Sequence, residues 1–161
     1  MSGLCLNFHD GQRHIIDDSH RFKVAVMGRR FGKTNMGIKS IPLALEQFQS
    51  SNPQGVDPVT PETIVVALPT LQMAKGLVWE PIVNMAEGAL APWVKKIDRS
   101  SHRVDFHGLP SVYVVGANDR DGDGLRGKRI FYFLGDEIQD FKPVVLDAVV
   151  IPAMADTEGS Y

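Results

Sequence analysis

Phe22-Lys-Val-Ala-Val-Met-Gly-Arg-Arg-Phe-Gly-Lys-Thr34 is the stretch on which the reading of this chain turns. Residues 22–27 are mostly apolar and carry the β-branched Val24 and Val26, which predicts a strand. That strand empties into a loop bounded by Gly28 and Gly32, and beyond it Ile38, Ile41, Leu45 and Phe48 recur at helical spacing. A strand, a tight loop and a helix N-terminus in that order turn free backbone N–H groups toward the phosphates of a nucleotide. Lys33 would add a point charge on the β- and γ-phosphates, and the Thr34 hydroxyl a ligand for Mg²⁺. The usual G-x-x-x-x-G-K-[ST] spacing asks for glycine where this chain has Met27, with Gly28 one place late. Arg29, Arg30 and Phe31 fill a loop in which small residues are common. The motif is therefore a variant, and an ordinary strand-to-helix turn is the competing reading.

Composition bounds what surrounds the loop. A chain of 161 residues with 43% apolar content is the size of one α/β domain with a real core. The formal net charge of −2 supplies no global attraction to nucleic acid, so any such contact needs a local patch. Cys5 is the single cysteine, which excludes an internal disulfide framework and suits a reducing, cytoplasmic setting. No run approaches a membrane span, and the N-terminus lacks a signal pattern.

Strand-like and helix-like segments alternate along the chain, which predicts a mostly parallel sheet with helices on its faces. Residues 1–21 read as a polar, irregular or helical lead-in. Residues 50–61 are dense in Ser, Asn, Pro, Gly and Asp and read as a surface loop. A buried strand follows over 63–68, then a helix from 70 toward 87 that Pro81 should bend or break. Segments 102–106 and 111–115 flank His107-Gly-Leu-Pro110 and read as a hairpin. A polar loop over 117–128, an apolar strand over 129–134 and a helix from 143 to about 154 complete the order.

Ile130-Phe-Tyr-Phe-Leu-Gly-Asp-Glu137 is the second chemical signal, an apolar strand delivering two adjacent acids at its carboxyl end. In P-loop NTPases the first acid supports Mg²⁺, often through water, and the following glutamate can orient or deprotonate the water that attacks the γ-phosphate, roles that fit Asp136 and Glu137. Two acids after a strand could equally cap the next segment. A phosphate loop paired with such a strand, with α/β texture between them, favours a site at one edge of the sheet.

Four phrases in this order resemble large terminase subunits, the DNA-packaging motors of tailed bacteriophages: Gly28-Arg-Arg-Phe-Gly-Lys-Thr34, Val66-Ala-Leu-Pro-Thr-Leu-Gln-Met-Ala-Lys75 with Trp79, Gly124-Leu-Arg-Gly127, and Gly135-Asp-Glu137. The resemblance covers nearly the whole chain. It implies an α/β P-loop NTPase of the ASCE type, a three-layer sandwich around a mostly parallel central sheet. Residues 1–161 would be one ATPase domain, with 1–21 as the adenine-side lead-in. The family's further strand, bearing a Ser/Thr-rich coupling motif, and its nuclease domain have no counterpart here, so the sheet is expected to be C-terminally incomplete.

The same resemblance implies roles position by position. Gly28, Arg29, Arg30, Phe31, Gly32, Lys33 and Thr34 would surround the phosphates, Thr34 and Asp136 would hold Mg²⁺, and Glu137 would activate water. Arg29 matches the loop arginine that acts on the γ-phosphate of its own or a neighbouring subunit's site, a task suited to a fixed planar charge. Arg30 has a solvated surface role as its alternative. Gln12 looks like the adenine-side glutamine of the group, or is simply exposed. Arg126 reads as a nucleotide-sensing or intersubunit arginine, or as part of a solvated cluster with Lys128 and Arg129. Trp79 reads as core before it reads as a base-stacking group. ATP, double-stranded DNA, a portal protein, a small terminase subunit and copies of the chain in a ring are the implied partners.

Two metal patterns fail. Asp119-Arg-Asp-Gly-Asp-Gly124 begins like a calcium loop, but its twelfth position is Ile130, where a bidentate glutamate is needed. The five histidines show no paired ligand spacing for zinc. A helicase-like translocase and a catalytically idle nucleotide-binding module are the rival functional readings.

Overall fold

In the computed structural model, which describes residues 6–28, 30–155 and 157, five strands form one sheet. They are β1 (Glu62–Leu68), β2 (Val94–Asp98), β3 (Arg103–Phe106), β4 (Ser111–Gly116) and β5 (Arg129–Gly135), in the spatial order β2-β3-β4-β1-β5. Continuous apolar sequence puts β1 inside the sheet, between β4 and β5, because only a strand covered on both faces can bury Ile64 through Leu68 completely. It pairs in parallel with β4, Val66 opposite Val114, and with β5, Val66 opposite Leu134. A register shift between Thr63 and Ile64 sets Ile130 and Tyr132 against consecutive β1 residues.

The sheet is mixed rather than mostly parallel. β3 runs antiparallel to β4, as the hairpin reading requires, and β2 runs antiparallel to β3. The strand β2 is not visible in sequence periodicity. Its Lys95 and Lys96 are both exposed, and an outer strand with charged side chains is a common way to blunt a sheet edge.

Helices cover both faces, giving three layers. On one face lie α2 (Lys33–Ser51) and a long helix that starts as α3 (Leu71–Ala74), widens into a π turn over Lys75–Trp79 and continues as α4 (Glu80–Glu87). The π turn falls directly before Pro81, so the chain meets the missing N–H with a local change of winding rather than a break. Ile41, Leu45 and Phe48 of α2 pack with Val78, Trp79 and Ile82 over β1 and β4, and Trp79 is core, edge-on to His102 at 5.2 Å. On the other face, α5 (Pro143–Val145), a π turn over Leu146–Val150 and α6 (Ile151–Ala155) pack with Leu125 of the 117–128 segment over Val65 and Phe133.

The strand expected over 22–27 does not form. The segment pairs with no strand among the described residues, and Val24 and Val26 are 78% and 96% exposed. A strand exists only where a neighbour completes its hydrogen bonds, and β propensity alone cannot supply one. A groove of about 780 Å³ lies between this segment, α2 and the outer side of β5. Among its described residues the lead-in contains one short helix, α1 (Asp10–Ile16).

Candidate nucleotide site

The loop and the acids are far apart in sequence, and the sheet brings them together. β1 and β5 are parallel, so both deliver their following residues to the same edge, and the ladder extends one step further through Asp136 N–H to the Ala67 carbonyl at 3.0 Å. At that edge the Thr34 hydroxyl donates to Asp136 Oδ2 at 2.5 Å across 102 residues of sequence. Gly37 makes the approach possible. A Cβ there would stand 2.7 Å from the Leu134 side chain of β5, so a larger residue would require that side chain to shift before the first turns of α2 could lie this close to the strand.

Backbone geometry in the loop matches its glycine pattern. Gly32 caps α2 in the left-handed conformation at φ +81°, and its carbonyl accepts from Met36 N–H at 2.8 Å. Arg30 also has positive φ, +66°, and its side chain is exposed. Lys33 Nζ donates to the Met27 carbonyl at 3.2 Å, so its charge sits over the loop mouth. Gly28 has open space where a Cβ would stand. Arg29 lies outside the described residues.

Gln12 is buried, at 6% exposure, and it holds the loop. Its Nε2 donates to the carbonyls of Phe31 at 3.2 Å and Gly32 at 3.4 Å, while its Oε1 accepts from His9 N–H at 3.4 Å. His9 stacks edge-on against Phe31 with centroids 4.6 Å apart. Gly11 leaves room for that ring, since a Cβ there would meet Phe31 at 2.8 Å. The lead-in helix is thus bound to the loop ahead of α2 through side-chain contacts.

Glu137 has φ +54° and ψ +42°, a left-handed conformation uncommon for a non-glycine residue and frequent at functional sites. Its N–H donates to Asp136 Oδ1 at 3.1 Å, and its carboxylate accepts from Gln139 Nε2 at 2.5 Å. Asn118 bonds the segment that follows, a contact that sequence reading passed over because the residue sits in a polar stretch with no periodicity. Arg126 precedes the amino end of β5, and the seven residues of that strand put about 23 Å between Arg129 and Asp136. It pairs with Asp123 at 3.3 Å, both side chains being more than half exposed. The edge therefore gathers Lys33, Thr34, Asp136 and Glu137, with Gln12 behind the loop, and leaves Arg126 at a distance.

The same architecture occurs in solved structures. The large terminase ATPase domain of Thermus phage P74-26 superposes with a TM-score of 0.73 at 16% identity, covering 96% of this chain and 62% of that one. An arginine-to-alanine mutant of that domain gives 0.74 at 16% identity, covering 96% and 63%. The large terminase of another phage, a thermophilic bacteriophage, gives 0.57 at 16% identity, covering 80% and 30%. The fold is that of a phage terminase ATPase domain. No family model and no curated protein matches the chain in sequence. The chain spans about three-fifths of the length of the P74-26 domains. Within this terminase ATPase fold, the described residues contain no helix long and apolar enough to cross a membrane.

Proposed function

We propose that the chain is the nucleotide-hydrolysing part of a terminase-type motor that drives double-stranded DNA into procapsids in the host cytoplasm. The observation that carries this reading is the Thr34–Asp136 contact, which joins the variant phosphate loop to the Asp-Glu pair within a terminase ATPase fold. Lys33 and the amides of 28–34 bind the phosphates of ATP. The Thr34 hydroxyl and Asp136 carboxylate are hard oxygen donors side by side, a set that fits Mg²⁺, which takes few protein ligands and completes its shell with water and phosphate. Bound there, Mg²⁺ neutralises charge on the β- and γ-phosphates. Glu137 orients and deprotonates the attacking water, and Arg29 stabilises charge building on the transferred phosphoryl group. Arg126, separated from its own chain's Asp136 by the length of β5, acts on the site of a neighbouring copy in a ring. DNA, portal protein and small terminase subunit belong to the same reading as partners.

Lys33→Ala and Glu137→Gln separate binding from chemistry. The first should abolish Mg²⁺-ATP binding. The second should keep binding and lower turnover by about a hundredfold or more. Wild-type protein that does not bind Mg²⁺-ATP sinks the proposal. One observation favours a second reading, an idle nucleotide-binding module: the segment ahead of the loop has no strand partner among the described residues, so the loop is tied to the sheet on its helix side alone. Binding with no turnover above Glu137→Gln would favour it.

A further inference from the structure

We infer that Asn118 is the positioning residue that holds Glu137 in its working conformation, by bracketing the turn that follows it; this rests on the reading of Glu137 as the hydrolytic base. The backbone around Asn118 is fixed to the centre of the sheet. Ala117 N–H donates to the Leu68 carbonyl at 2.7 Å, and Asn118 N–H to the Pro69 carbonyl at 3.0 Å, so the exits of β4 and β1 are joined. From that base the side chain reaches the exit of β5. Nδ2 donates to the Asp140 carbonyl at 2.8 Å, and Oδ1 accepts from Lys142 N–H at 2.7 Å. A carbonyl demands a donor and an N–H an acceptor, so the partners dictate which way the amide points.

What the amide clamps is a strained element. Glu137 is left-handed, and such a conformation in a non-glycine residue persists only where its surroundings over-determine it. The turn Ile138–Asp140 is closed by Asp140 N–H to the Glu137 carbonyl at 3.0 Å and by Phe141 N–H to the Ile138 carbonyl at 3.1 Å. Phe141 is buried under α5, and Asn118 grips the chain on either side of it. Without the clamp, Glu137 can relax toward the right-handed region, and its carboxylate swings away from where the water must be held. Asp119 is a natural control. Its carboxylate accepts from Leu71 N–H at 3.0 Å, joining the same β4 exit to the segment after β1 rather than to the Glu137 turn.

Mg²⁺-ATP hydrolysis and equilibrium binding of a fluorescent ATP analogue in wild type, Asn118→Ala, Asn118→Asp and Asp119→Ala test the inference. Asn118→Ala should lower kcat about 10- to 100-fold, the scale of a misplaced reacting group, with KM and Kd within about twofold of wild type. Asn118→Asp keeps the acceptor for Lys142 N–H but sets a carboxylate against the Asp140 carbonyl, so it should also lose kcat. It carries the test if Asn118→Ala does not fold. Asp119→Ala should keep kcat within about twofold. An unchanged kcat in the folded Asn118 variants, or an equal loss in Asp119→Ala, overturns the inference and leaves the ATPase reading standing. Wild-type protein that fails to bind or to hydrolyse Mg²⁺-ATP overturns that reading, and this inference with it.

Discussion

Residues 63–68 and 22–27 are similar texts with opposite fates. Both are short runs rich in valine and other apolar residues, and both lead toward the same site. The first is β1, hydrogen-bonded on both sides and fully buried from Ile64 to Leu68. The second joins no strand of the sheet among the described residues, and Val24 and Val26 stand in solvent. Strand propensity measures how well a side chain fits a pleated, half-buried surface, and it is realised only where such a surface already exists. The acids of the site consequently stand on a rigid ladder. The loop ahead of α2 is held instead by α2 behind it and by α1 through Gln12.

An acid placed in each run gives the sharpest break of that contrast. Val66→Asp buries a carboxylate in the core and should cost on the order of 4 kcal/mol in denaturant unfolding, whereas Val26→Asp should stay within about 0.5 kcal/mol. A comparable loss in both would mean that 22–27 is packed in solution. Gly37→Ala tests the contact that joins loop to sheet. The added methyl meets Leu134 at 2.7 Å and should cost about 1–3 kcal/mol while weakening the Mg²⁺ dependence of ATP binding by separating Thr34 from Asp136.

The paired half of the sheet should also carry a pH signature. His102 is buried against Trp79 near Lys75, and burial, aided by that charge and opposed by Asp98, lowers its pKa below the ordinary 6.5. The folded state therefore resists a proton that the unfolded chain accepts. Stability is undiminished above pH 6.5 and falls as pH drops below it, by at most about 1.4 kcal/mol per pH unit for one group. Unfolding midpoints at pH 7.5 and 5.5 should differ more in wild type than in His102→Gln. Gln12→Ala should cost only about 0.5–1 kcal/mol given its long hydrogen bonds, and amide exchange should quicken around Phe31 and Gly32 rather than in β1. Unchanged exchange there would show that α1 does not hold the loop.

Much of this was legible in the sequence because it is local. Gly32 and Thr34 announce a loop that caps a helix, the apolar runs of β1 and β5 announce buried strands, and Asp136-Glu137 announces acids at a strand end. The turn formers around His107 announced the β3–β4 hairpin, whereas the break or bend expected at Pro81 is instead a π turn just before it within a continuing helix. The strand β2 was hidden because an edge strand needs no apolar period. The failure of 22–27 to pair was hidden for the converse reason, since its period is present and its neighbour is not.

By itself, then, the sequence determined which chemical groups exist and what short-range geometry each segment favours, because backbone sterics, helix periodicity and turn chemistry act over a few residues. Tertiary structure decided which of those segments meet. Parallel pairing of β1 and β5 set Thr34 against Asp136, the glycine at 37 let helix and strand close on each other, and Gln12 came to lie buried behind the loop, donating to its carbonyls. The reason is that a strand's hydrogen bonds and a buried amide's partners come from elsewhere in the chain, so neither can be satisfied, or read, within the segment that needs them.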